Sequence, residues 1–116
     1  MAKIEKYFRL ARQMALRGDK VIRRQYRLGA VGIRHDGTVV TSNNVPCAHP
    51  ERAAHAEARL VRKLDWGSEV YIVRILRNGR MASARPCENC QSALRLRGVK
   101  TCHYSINDTE WGVLKL

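Results

Sequence analysis

Pro86-Cys87-Glu88-Asn89-Cys90 decides how this chain is read, because it makes chemical sense only with a partner, and His55-Ala56-Glu57 lies upstream of it. Pro86 suits the first position of a helix, where its missing N–H costs nothing. Cys87 and Cys90 are three residues apart, so both sulfurs then fall on one face of the first turn. The partial positive charge of a helix N-terminus favours anionic thiolates, the form in which cysteine binds zinc. His55 is the candidate third ligand. Three protein ligands leave the fourth tetrahedral position of zinc for water, the arrangement of a catalytic rather than a structural site. Glu57, two residues from His55, is placed to reach that water without ligating the metal.

His-x-Glu followed after about 28 residues by Pro-Cys-x-x-Cys resembles the signature of the zinc-dependent cytidine/deoxycytidylate/tRNA-adenosine deaminase superfamily. A Cys-x-x-Cys alone occurs in many zinc and redox modules; the full constellation at this spacing is specific. The resemblance runs from about Leu28 to Tyr104. It implies zinc held by His55, Cys87 and Cys90, no organic cofactor, and Glu57 as the catalytic proton carrier in a hydrolytic deamination. Asn44 looks like the counterpart of a family asparagine that reaches the substrate's sugar or base, with Asn43 as the fallback. An Asx turn that merely closes the loop is the plainer reading of either. The backbone of Ala56 and of residues around Cys87, Pro86 among them, is expected to hold the edge of the base.

The 116 residues predict one domain over 1–116, and the formal net charge of +12 predicts a surface that attracts phosphate without saying whether a nucleotide or a nucleic acid carries it. Four cysteines without a secretory signal ahead of them, two at metal-like spacing, point to a reducing, cytoplasmic setting. No apolar run reaches the roughly 18 residues of a membrane span. The arginine-rich start imitates a transit peptide, but Glu5 and the lack of serine there favour a covering helix instead.

That helix is predicted over Met1 to Arg17, where Ile4, Tyr7, Phe8, Ala11, Met14 and Ala15 form one stripe. Lys20 to Arg27 is a basic run, either a solvated connector or a phosphate contact. Leu28 to Ile33 and Thr38 to Thr41 read as buried strands around a His35-Asp36-Gly37 hairpin, and Gly29 and Gly32 leave room for a close neighbour. Ser42 to Pro46 reads as a loop; Cys47 and His49 in the same region are set aside as ligands, since a fourth protein ligand would exclude water. A helix from Pro50 or Glu51 to Leu64 carries His55 and Glu57 and ends at Asp65-Trp66-Gly67-Ser68, with Trp66 expected as a core or edge plug. Val70 to Leu76 is the most strand-like stretch. Arg77-Asn78-Gly79-Arg80 then signals a type I′ turn returning through Met81 to Ala84, an insertion ahead of Pro86 that departs from the family pattern.

Cys87 to Arg97 is the second metal helix, with Gly98 as its C′ residue; Val99 to Tyr104 and Glu110 to Leu116 are the closing strands, joined across Asn107-Asp108. A rival zinc knuckle of Cys87, Cys90, Cys102 and His103 fails because adjacent strand residues point to opposite faces. Cys102 is expected to be buried and inert.

The fold expected is α/β: a single-domain, cytidine-deaminase-like three-layer arrangement with a mixed sheet of about five strands, the first helix on one face and the two metal helices on the other. The short tail has room for an antiparallel last strand but not for a crossover helix, which resembles the cytidine deaminase branch. The Asn44-to-His55 register resembles the tRNA adenosine deaminase branch. Free cytosine nucleoside or nucleotide is the preferred substrate. Single-stranded DNA or RNA, engaged through the basic surface, is the alternative, for which an aromatic content of 6% is low. A non-catalytic zinc module is disfavoured by Glu57, and a homo-oligomer without membrane attachment is expected.

Overall fold

The strand Glu69–Leu76 (β3) is the axis of the molecule, and its buried residues alternate between two separate cores. The computed structural model describes residues 2–17, 26–43, 60–76 and 78–116. Around β3 lie β1 (Tyr26–Ile33), β2 (Val39–Asn43), β4 (Met81–Ala82), β5 (Thr101–Ser105) and β6 (Trp111–Lys115), with helices α1 (Ala2–Leu16) and α2 (Glu88–Leu96). The sheet order is β2-β1-β3-β5-β6, with β4 also paired to β3. Among the described residues only the β3–β5 pairing is parallel; β1–β2, β1–β3, β3–β4 and β5–β6 are antiparallel. The expected mixed sheet and the antiparallel final strand are therefore both present.

The α1 stripe packs as its periodicity predicts. Phe8, Ala11 and Ala15 are buried with Val31, Tyr71, Val73 and Ile75, flanked by Ile4, Tyr7 and Leu10. Gly29 permits the contact, since a Cβ there would lie 2.0 Å from the Ala11 carbonyl oxygen and 2.4 Å from the Ala15 nitrogen. On the other face Leu28, Ala30, Val70, Ile72 and Cys102 pack with Leu60, Leu64 and Leu94. Burying each such leucine contributes about 1.5–3 kcal/mol. Gly32 faces this layer, where a Cβ would meet Leu64 at 2.4 Å.

The second hairpin differs from the type I′ expectation, and the first has the same form. Arg34 N–H donates to Thr38 O at 2.9 Å and Gly37 N–H to Arg34 O at 2.8 Å, and the second hairpin repeats the pattern with Leu76, Arg80 and Gly79. Gly37 and Gly79 have positive φ, whereas no described non-glycine does, so Asn78 cannot be the first left-handed residue of a type I′ turn. Each is instead a three-residue loop with its glycine as a G1 bulge. β2 also runs on to Asn43, so Ser42 and Asn43 belong to a strand rather than a loop. Asn43 Nδ2 donates to Met14 O at 3.2 Å, which ties β2 to α1.

Along one edge β3 has two successive partners, β5 at Glu69–Ile72 and β4 at Arg74 and Ile75. Ser105 joins them. Its Oγ accepts the Arg74 N–H at 3.2 Å and donates to Ala82 O at 2.7 Å, while its carbonyl accepts the Ala84 N–H at 2.8 Å. The predicted insertion hairpin is thereby fixed to the sheet and delivers residues 84–87 to the start of α2.

Candidate zinc centre

Helix α2 begins two residues later than an N1 proline at Pro86 would place it. Cys87 is the N-cap, with φ −66° and ψ 166°, and the helix runs from Glu88. Pro86 precedes the cap and is buried. Its carbonyl accepts a 2.8 Å bond from Gln91 Nε2, and the Cys87 carbonyl accepts the Gln91 N–H at 2.9 Å. Gln91 thus holds both residues that lead into the helix, a role the sequence reading missed. A glutamine in the first turn that can reach back past the cap was the available signal.

Cys90 is 6% exposed and Cys87 is exposed, and Cys87 makes no capping hydrogen bond through its side chain. Two soft sulfur donors thus share the first turn of one helix, one open to the surface and one against the core. This fits zinc, whose tetrahedral sites take thiolates at such spacing. The ligand expected to complete the set, His55, lies outside the described residues, as do Glu57, Ala56 and Asn44. Among the described residues no cluster of three or more His, Cys, Asp or Glu side chains is formed.

The segment that follows His55 and Glu57 in the chain is described from Leu60, and its helical end packs in the same core as Leu94 of α2. Three of its last carbonyls are capped by arginines. Arg97 Nε donates to Leu64 O at 2.9 Å and Nη2 to Arg62 O at 3.3 Å, while Arg34 Nε donates to Lys63 O at 2.6 Å. Guanidinium groups suit the negative end of a helix dipole. The far end of α2 closes in a Schellman motif: Gly98, at φ +88°, donates to Arg95 O at 3.0 Å and Val99 N–H to Leu94 O at 3.0 Å. Gly98 is therefore the C′ residue expected.

Cys102 and His103 lie on opposite faces. Cys102 is buried in the α2 layer, and His103 stacks on Tyr71 in the α1 layer with ring centroids 4.3 Å apart and planes 6° from parallel. They cannot grip one ion together. Burial holds the His103 imidazole below its ordinary pKa, opposed by Glu69 and reinforced by Lys3. Burial, then Glu69 and Tyr7, pushes the Tyr71 phenol up to about 12.

In the basic run Lys20 to Arg27, Arg27 donates from Nη1 to Leu16 O at 3.3 Å and so secures the end of α1. Arg80 is exposed on the second hairpin, and Arg23, Arg24 and Arg77 lie outside the described residues. Trp66 corrects the expectation of a core or edge plug: it is 75% exposed. Its ring rests over Gly98, where a Cβ would come within 2.4 Å of the indole Cδ1. Without a side chain at that position the indole lies on the backbone surface instead of entering the core.

Paired thiols thus stand at the head of a helix on one face of a mixed α/β sheet. The family model for the cytidine and deoxycytidylate deaminase zinc-binding region matches residues 1–106, and the chain belongs to that family. Its fold is that of cytidine deaminases. The enzyme from Burkholderia pseudomallei superposes with a TM-score of 0.74 at 16% identity over 96% of this chain and 91% of that one. Those from Mycobacterium tuberculosis (TM-score 0.60, 22% identity, 87% of this chain and 82% of that one) and Mycobacterium leprae (0.61, 19%, 94% and 91%) are also similar. No curated protein sequence matches significantly.

Proposed function

We propose that this protein is a zinc-dependent hydrolytic deaminase that removes the exocyclic amino group of cytosine in a free nucleoside or nucleotide. The observation that carries the reading is Cys87 at the N-cap and Cys90 in the first turn of α2, within a match to the zinc-binding region of the deaminase family. His55, Cys87 and Cys90 would hold the metal. When bound, zinc supplies Lewis-acid activation of a water near neutral pH. Glu57 accepts a proton from the attacking water and delivers protons to the ring nitrogen and to the departing amine. A C–O bond forms, the exocyclic C–N bond breaks, and the products are the oxo base and ammonia. Asn44 and the backbone of Ala56 and Pro86 hold the sugar and the edge of the base.

A cytoplasmic place in nucleotide metabolism is supported by the two thiols, which need a reducing compartment to stay available to metal. Association into a homo-oligomer is supported by Trp111 and Val113, 40% and 50% exposed on the edge strand β6. No described helix is long and apolar enough to cross a membrane.

Metal analysis together with ammonia release from nucleosides, nucleotides and oligonucleotides tests the reading. One zinc per chain and turnover of a free cytosine nucleoside or nucleotide are the expected results. The dependence of log KM on log salt for a nucleotide substrate should have a slope near 1 or below, since one or two phosphates are neutralised at about 0.7 each. Zinc with four protein ligands, or turnover of oligonucleotides alone with a slope near 3, would refute it.

A further inference from the structure

At the end of the sheet away from α2's cysteines, two chain segments meet in register ahead of β3 and β5. Gly67 N–H donates to Gly98 O and Lys100 N–H to Ser68 O, both at 2.8 Å. Trp66 lies over Gly98, and the His35 ring lies over Gly67, where a Cβ would be 3.0 Å from Nδ1. Beside them opens a cleft of about 310 Å³, lined by Lys3, Arg34, His35, Glu69 and Lys100 among others.

Charge is unevenly distributed here. Arg62, Lys63, Arg95, Arg97 and Lys100 are all exposed in the segments that frame Trp66. Asp65, the acid among them, is turned to structural use: its Oδ1 accepts from Ser68 Oγ at 2.7 Å and from His35 N–H at 3.2 Å. Those bonds, the Ser68 one first, hold its carboxyl below the ordinary range and keep it ionised in place. Glu69 in the cleft is matched by Lys3 at 3.7 Å. What remains is an exposed indole on a hydrogen-bonded backbone, next to a cleft with a surplus of cations.

We propose that this surface is a binding site for single-stranded nucleic acid, with one base stacked on Trp66 and neighbouring phosphates held by Lys100 and the cations of the adjoining cleft. Stacking on a fixed aromatic face beside cations is how single strands are bound without regard to sequence, because every base has a π-face. A duplex keeps its bases stacked on one another and cannot use the indole. The site stands at the opposite end of β3 from the hairpin that leads to Cys87; eight residues of strand separate the two ends by roughly 25 Å. Occupying it therefore does not fill the pocket proposed for deamination. The inference is independent of the deaminase reading, since binding is measured without turnover.

The test uses a dye-labelled single-stranded 15-mer of uridine followed by fluorescence anisotropy over a range of salt. Trp66→Ala should weaken binding about tenfold and Trp66→Phe much less. Lys100→Ala should weaken it and lower the salt slope by about 0.7. In a Trp111→Phe protein, Trp66 is the remaining tryptophan, and its fluorescence should be quenched by the unlabelled oligomer. Duplex of equal length should bind more weakly, and excess free cytidine should not displace the single strand. Unchanged affinity in a folded Trp66→Ala protein, or absence of quenching, would overturn the proposal. So would displacement by cytidine, which would place the strand in the catalytic pocket. A Trp66 signal that follows protein concentration alone would assign the face to a second copy of the chain.

Discussion

Arg97 Nε donates to Leu64 O across 2.9 Å, and that bond joins the end of the helix carrying Cys87 and Cys90 to the end of the segment that follows His55 and Glu57. A second bond from Nη2 to Arg62 O makes the contact two-pronged, so the guanidinium acts as a strut between the two parts of the chain proposed to supply the zinc ligands.

Arg97→Ala should therefore destabilise the protein by about 1.5–3 kcal/mol, the range of hydrogen bonds from charged groups. It should also release zinc at lower chelator concentration. Arg97→Lys should not restore either property, because one ammonium cannot reproduce the fork. Thermal unfolding and zinc release with a colorimetric chelator would check both.

Glu57→Ala should retain zinc and the wild-type circular dichroism while turnover falls by about 10⁴ or more. A single general acid-base group is worth about 10² to 10⁴, and the proposed mechanism assigns successive transfers to one carboxylate. Unchanged turnover with unchanged metal content would remove Glu57 from the mechanism.

Gly29→Ala should cost about 3 kcal/mol, the upper part of the usual range for overpacking. The new methyl would meet α1 backbone at Ala11 and Ala15, which cannot swing aside as a side chain can. Denaturant unfolding should show a lower midpoint with an unchanged slope.

His103 gives the stability a pH dependence of definite sign. Its folded-state pKa is depressed by burial, so the unfolded chain takes up the proton first as pH falls. Stability should be full above the ordinary histidine value of about 6.5 and should decline as pH drops below it toward the lower folded value. Melting curves between about pH 5 and 8 should show this slope in the wild type, and His103→Phe, which keeps a ring against Tyr71, should flatten it.

The parts of this structure that were legible in the sequence are those set by periodicity. The α1 stripe, the apolar run of β3 and the C′ glycine at Gly98 depend on neighbours within a few residues, and each is present. The polar connections were not legible. Ser105 looks like an ordinary strand serine, and its place between β4 and β5 exists only because β5 ends where β4 begins along β3. Trp66 was misread for the same reason: hydrophobicity argues for the core, but the site it occupies was created by Gly98, distant in sequence. At the candidate site, the thiol pair and its helix were readable from spacing, whereas the two-residue shift of the helix start, from Pro86 at N1 to Cys87 at the N-cap, depended on the extended backbone that arrives from β4.

The long ladder between β1 and β3 has a consequence for how the chain assembles. It pairs Tyr26 with Leu76 at one end and Ile33 with Glu69 at the other. The first helix and the β1–β2 hairpin can form early from local contacts during synthesis, but Leu28 and Ala30 then have no cover until β3 and the leucines at 60, 64 and 94 arrive. Closing so large a loop before its contacts are rewarded slows folding, and an incomplete chain presents unpaired strand edges. The nascent N-terminal part should accordingly depend on chaperones more than the finished protein does.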